Sequence, residues 1–137
     1  MTFNPTVLLD AYISINSNVI SDHGNKAEIP IKAEAKMATT FGQTWNVRRG
    51  GLKDGNLNFD FLNDYVAGNL DEIMWALVGT VVPFEVRAAS GTVTTSNPKY
   101  TGNVFIDQWT PIIGKVGDLV TVSVGWPTSG TVTRGTS

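Results

Sequence analysis

The 137 residues include no cysteine and a single histidine, His23. The first absence excludes disulfides and thiolate metal sites, and it fits a reducing compartment. The second leaves only carboxylate-type metal sites. Asp60 and Asp64 are the candidates, and nothing like a calcium-loop spacing surrounds them. An excess of positive charge is also missing. Ten Lys and Arg against twelve Asp and Glu leave a net charge of −2. A general nucleic-acid binder is usually basic, because phosphate neutralisation supplies most of its affinity. No apolar run approaches the roughly 20 residues that span a bilayer. The first residues, MTFNPTVLLDAY, have no basic region followed by a long apolar core, so no secretory signal is expected there. Charged residues of either sign are scarce, at 16% against about 25% in an average domain. Thr, Ser, Asn and Gly fill the polar positions instead, which suits a β-rich protein with much of its surface covered by partners.

Catalytic signatures are equally thin. Asp22 beside His23 is the one pair that would orient an imidazole for base catalysis, and a surface turn is the simpler reading. Glu85 and Asp107 are a pair of carboxylates on paper, as a glycosidase requires, but twelve acids yield such pairs by chance. Arg49-Gly50-Gly51 lacks the Gly-Lys-Ser/Thr of a phosphate loop, and no Gly-x-Ser-x-Gly elbow occurs. No catalytic, cofactor-binding or metal-binding residue is assigned, and no enzymatic activity is expected.

What is present is alternation. Val120, Val122, Val124 and Trp126 share one face, with Thr121, Ser123 and Gly125 on the other, the period-two pattern of a half-buried strand. Pro127 and Gly130 are expected to stop it, leaving residues 131–137 as a mobile or separately docked tail. Before it, Val104, Ile106 and Gln108 alternate with Phe105, Asp107 and Trp109, and a shaped loop over 111–118 connects the two strands. Ala11, Ile13 and Ile15 form a strand that turns at Asn16-Ser17-Asn18 into Val19-Ile20-Ser21, and Asp22–Asn25 reads as a second turn. Ala27, Ile29, Ile31, Ala33 and Ala35 alternate with Glu28, Lys32, Glu34 and Lys36. Pro30 places this strand at an edge, or bulges it. Leu57, Phe59 and Phe61 alternate with Asn56, Asn58 and Asp60, and Val82, Phe84, Val86 and Ala88 form another strand.

Between the strands over 27–36 and 56–62, residues 37–55 show no clean period and read as one long functional or partner-bound loop. Leu70 to Val78 is the one helix expected. Asn69 is its N-cap, Glu72 completes a capping box, and Gly79 stops it. Leu70, Ile73, Met74, Leu77 and Val78 form its apolar stripe, and Trp75 points away from that stripe. Residues 1–137 are read as one domain, mainly β, an antiparallel sandwich or barrel with one short flanking helix.

Four tryptophans remain. Trp126 belongs to the core face. Trp45, Trp75 and Trp109 are either satellite core or anchors of an interface, where Trp and Arg are enriched. Arg48 and Arg49 near Trp45 favour the interface. Stacking on sugars is the competing use of exposed tryptophans.

Gly102-Asn103-Val104-Phe105-Ile106, Val116-Gly117-Asp118-Leu119-Val120 and Trp126-Pro127-Thr128-Ser129-Gly130 together resemble the C-terminal part of the major tail tube proteins of phages with long, non-contractile tails. Gly50-Gly51-Leu52-Lys53-Asp54 before a Phe-rich strand, and the helix ending Leu77-Val78-Gly79, fall in the same order, so the resemblance spans most of the chain. It implies a β-sandwich with a flanking helix that assembles into hexameric rings. The rings stack into a tube whose lumen conducts DNA during ejection without binding it specifically. It further implies an inter-ring loop over 37–55, with Phe41, Trp45, Arg48, Arg49 and Lys53 at the contact. Glu28, Lys32, Glu34, Asn56, Asn58 and Asp60 would face the lumen, giving a polar, mildly acidic lining from which Lys32 and Lys36 depart. Trp75 and Trp109 are the candidate aromatics of the subunit interface. The implied partners are other copies of the chain, with tape measure, tail terminator and distal tail proteins, and no membrane or cofactor. The implied location is the virion tail, assembled in the host cytoplasm. The alternatives are another viral structural protein, such as a capsid decoration or tail terminator subunit, and a carbohydrate-binding sandwich module.

Overall fold

A computed structural model describes residues 3–137. Its strands are β1 (Tyr12–Ile15), β2 (Asn18–Val19), β3 (Gly24–Glu28), β4 (Ile31–Met37), β5 (Arg48–Leu62), β6 (Val81–Arg87), β7 (Lys99–Phe105) and β8 (Thr121–Gly135), with one α-helix, α1 (Leu70–Leu77), between β5 and β6. The strands pair antiparallel in the order β2-β1-β6-β7-β8-β5-β3, with β4 also on β5, and the sheet curls into a half-barrel. The expected mainly β fold with one flanking helix is therefore what the chain adopts.

The core fills the concave side. Every strand that lines it contributes alternate residues: Ile13 and Ile15 from β1, Leu57, Phe59 and Phe61 from β5, Val82, Phe84 and Val86 from β6, and Val122, Val124 and Trp126 from β8. Trp126 is fully buried, meets Phe59 edge to face at 6.1 Å, and its Nε1 donates to the Gln108 carbonyl at 2.9 Å. That bond meets the usual need of a buried indole N–H for a partner. Leu70 and Met74 press α1 onto this core, with Ile73 and Leu77 partly buried beside them.

Several local expectations are corrected. The Asn69 side chain makes no cap bond: its Nδ2 reaches Asp64, while Glu72 accepts from the Gly68 N–H at 2.8 Å rather than closing a capping box. Gly79 does end the helix, at φ 86°, and its N–H donates to the Ile106 carbonyl. Strand β7 starts at Lys99 and ends at Phe105, so Ile106 to Trp109 already belongs to the loop. The turn expected over 22–25 is a short 3-10 turn over Ser21–His23, and Gly24 opens β3.

Pro127 does not stop β8. It lies opposite Asn56 of β5, and the strand runs on to Gly135, pairing β5 with its first half and β7 with its second. The expected tail is thus built into the sheet. At the change of partner, β8 carries extra residues against β7, between the pairs Asn103–Ser129 and Thr101–Thr133. A Cβ on Gly102 would lie 2.9 Å from the Thr131 carbonyl oxygen, so this close approach requires glycine.

The strand expected over 27–36 is interrupted at Ile29-Pro30, yet β3 and β4 keep one register along β5, from Ala27 opposite Phe59 to Ala33 opposite Lys53. The Asn56 N–H donates to the Pro30 carbonyl across the gap. Residues 48–55, assigned to the long loop, are strand. Only 38–47 is loop, and it closes on itself through Ala38 N–H to the Val47 carbonyl and Val47 N–H to Thr39 Oγ1.

Candidate assembly surface

Strand β4 and the first half of β5 form a two-stranded arm that leaves the half-barrel. Among the described residues neither strand has a second neighbour there, so both outer edges are open. All seven residues of β4 are exposed. A strand of fifteen residues at about 3.3 Å each makes β5 roughly 50 Å long. One end carries the arm and the other ends at the loop leading to α1.

Directly opposed residues share a face of an antiparallel ladder, so the register sorts the arm. Lys26 faces Asp60, Glu28 faces Asn58, Lys32 faces Asp54 and Lys36 faces Arg49. The Glu34 carboxylate contacts Lys36 Nζ, and both crowd Gly51. The six side chains assigned to the lumen, Glu28, Lys32, Glu34, Asn56, Asn58 and Asp60, thus lie on one continuous face across β3, β4 and β5. The Asn56 amide donates to Asn58, and the Asn58 amide contacts Glu28. This face is balanced in charge rather than mildly acidic as expected. Lys26, Lys32, Lys36 and Arg49 match Glu28, Glu34, Asp54 and Asp60 one for one.

The opposite face is the outward continuation of the core face. Ile31, Ala33, Ala35 and Met37 follow Ala27 and Ile29 along it, but the half-barrel ends before it covers them. Met37 is 61% exposed on this face, and Leu52, in the bulge of β5 opposite Glu34, is 83% exposed. Arg48 lies opposite Met37 on this face, and Lys53 opposite Ala33. Phe41 and Trp45 stand fully in solvent on the tip loop, Trp45 at 84%. The five residues assigned to an inter-ring contact are therefore all on the arm, with Arg48 and Arg49 on its two different faces.

At the far end of β5, two loops come together around α1. The Asn63 Nδ2 and the Tyr65 hydroxyl both donate to the Pro111 carbonyl, and the Asn63 N–H donates to the Val120 carbonyl. Trp109, a candidate interface aromatic, does not stand exposed. It is 8% exposed, and its Nε1 donates to Asp71 Oδ1 at 3.1 Å, tying the 106–120 loop to the helix. Trp75 is 67% exposed on the outer side of α1, and Ile112, Val116 and Leu119 are exposed in the 106–120 loop. These apolar residues, like Ile31, Met37 and Leu52, were not singled out from the sequence. Only Ile31 lay in a readable apolar period, one indistinguishable from that of a buried strand, and the others stand in segments without a period.

His23 sits between two carboxylates, with Nε2 3.2 Å from Asp64 Oδ2 and Nδ1 2.9 Å from Asp22 Oδ1. Asp64 Oδ1 also accepts from the Val66 N–H, and Oδ2 from Asn69 Nδ2. These donors, the Val66 N–H foremost, then Asn69 and His23, hold the Asp64 carboxyl below the usual aspartate value. The cluster fastens the loop before α1 to the turn before β3 through Nε2, while Nδ1 is buried and makes no hydrogen bond despite its closeness to Asp22. Asp60 stands apart from Asp64, on the outer face opposite Lys26. Glu85 is held by Arg87 at 2.8 Å on β6, while Asp107 is exposed in the loop beyond β7, so these two do not form a facing pair.

No protein-family model matches this sequence, and no curated protein matches it. Among solved structures, a chain from the virion of a native gene transfer agent particle is similar in fold. The TM-score is 0.73 over 91% of this chain and 95% of that one, at 15% sequence identity.

Proposed function

We propose that this chain is a virion structural protein, and specifically a tail tube subunit that forms rings which stack around a lumen. The observation that carries the reading is the arm: an ordered hairpin with open edges and an uncovered apolar face, on a fold shared with a chain of a phage-like virion particle. A soluble monomer rarely leaves such a face bare, and open edges are normally blunted or paired. A closing ring of copies covers edges, and a repeat along an axis makes a tube. The face that carries Glu28, Lys32, Glu34, Asn56, Asn58 and Asp60, balanced in charge once Lys26, Lys36, Arg49 and Asp54 are counted with them, then lines the lumen. It offers DNA no net phosphate neutralisation, so the strand passes without being retained. Hexameric rings, contacts with tape measure, terminator and distal tail proteins, and a non-catalytic role in the virion tail belong to the same reading. Trp45 and Trp75 are at opposite ends of β5 and Trp109 is buried, so the three do not make one sugar-stacking platform.

Negative-stain electron microscopy of the concentrated protein tests this. Rings and tubes with a continuous central channel are expected. A protein that stays monomeric from low to high salt at high concentration contradicts the reading, and closed trimers on their own would favour a capsid decoration subunit.

A further inference from the structure

Charge is distributed very unevenly along β5. The arm, residues 31–55, holds five basic residues against two acidic ones, a net of +3. The opposite end, residues 63–79 with 106–120, holds Asp64, Asp71, Glu72, Asp107 and Asp118 against Lys115 alone, a net of −4. The whole chain is at −2, so its small net charge conceals a dipole along β5, one of its two longest strands. Both poles also expose apolar side chains: Met37, Trp45 and Leu52 on the arm, Trp75, Ile112 and Val116 at the acidic end.

Resting on the tube reading, we infer that the acidic end around α1 and the 106–120 loop is the docking surface for the basic arm of a second copy of this chain. Opposite poles attract each other either reciprocally, in an antiparallel dimer, or head to tail, and the tube reading selects the second. A head-to-tail contact repeats along an axis. Complementary charge sets the direction of approach, and the exposed tryptophans supply buried anchor area at each pole. Like poles repel, which rejects arm-to-arm stacking without any steric block.

Two experiments on the full chain decide it. In the first, Arg48→Glu with Arg49→Glu reverses the arm, and Glu72→Lys with Asp107→Lys reverses the far end, all at exposed positions. Circular dichroism and melting confirm that each variant folds. Each reversal by itself is expected to lower the sedimentable tube fraction by about tenfold at low salt, and all four together to restore it. Rising salt is expected to weaken stacking of the parent, since exposed charges are screened within about 8 Å at 0.15 M. If the parent forms tubes and both reversed variants form them equally well, the docking surface is wrong and the tube reading stands. If the parent forms no higher assembly, both fall together. In the second, the absence of native cysteine allows Trp45→Cys and Trp75→Cys to be placed in one chain. Oxidation of assembled protein is expected to give 45-to-75 links that join copies into ladders longer than a dimer, and 45-to-75 links that stop at the dimer overturn the repeating contact. Links only of 45 to 45 or 75 to 75 overturn the head-to-tail contact.

Discussion

Asp64 does more than any other polar side chain to shape the acidic end. Its carboxylate gathers the Val66 N–H, Asn69 and His23. Its folded pKa is depressed, so the stability it contributes is present above the unperturbed aspartate value of about 3.9 and is lost as the pH falls through that value and below it. Asp64→Asn should therefore lower the melting temperature at pH 7 and narrow the difference in melting temperature between pH 7 and pH 3. An unchanged difference would remove Asp64 as a source of acid sensitivity. Trp126 is the corresponding residue in the core. Trp126→Ala deletes a fully buried ring and strands the Gln108 carbonyl, and it should cost about 3–5 kcal/mol in urea unfolding. At this scale the sequence was readable where burial enforced it: Val122, Val124 and Trp126 announce themselves by alternation. Trp109 did not, because an indole looks the same whether its N–H meets solvent or Asp71. Asn69 misled for a similar reason. Its side chain had two acceptable partners, the helix N-terminus and Asp64, and the sequence does not rank them.

Strand β8 and the arm are the elements that most exceeded the pattern. Proline usually ends a central strand because it removes a ladder donor. Pro127 is tolerated where β8 changes neighbours, with β7 pairing beginning at Thr128. Gly102 permits the bulge that accompanies the change. Gly102→Ala forces a methyl against a backbone oxygen and should cost about 1–3 kcal/mol in chemical unfolding, with no effect expected on the arm. In the arm, residues 48–55 lack a readable period because there is no core for one face to meet, and β5 bulges there opposite Glu34. A hairpin held by its ladder alone is marginal in water. Replacing 33–53 with a two-residue Asn-Gly turn should leave the melting temperature within a few degrees of the parent, since no fully buried core residue is removed. It should abolish stacking in electron micrographs. Tubes of normal length from that variant would exclude the arm from the inter-ring contact.

For the molecule as a whole, the half-barrel and the arm differ in what protects them. The half-barrel is closed around its own core, whereas the arm waits for a cover. Hydrogen exchange should reflect this, with β5 amides over 57–61 protected in every state. Amides over 32–37 and 48–53 should exchange quickly in free protein and slowly after assembly. Equal protection of the arm in both states would mean that it is not an assembly contact. The mainly β class, the single helix and the strand sequence were legible because each rests on a local period. The half-barrel closure, the charge balance of the polar face and the dipole along β5 were not, because each arises from register between segments distant in sequence.

The double pairing of β8 also sets an order of events in synthesis. Its first half completes the ladder of β5 and its second half that of β7, and it emerges from the ribosome after both. Until it arrives, β5 has no neighbour on that side and the aromatic cluster of Phe59 and Phe61 lacks Trp126. A nascent chain that already displays its arm is therefore still open at the centre. On the tube reading, the body that would receive another copy's arm forms only after translation has passed β8, so an unfinished subunit would not yet offer the receiving half of the contact.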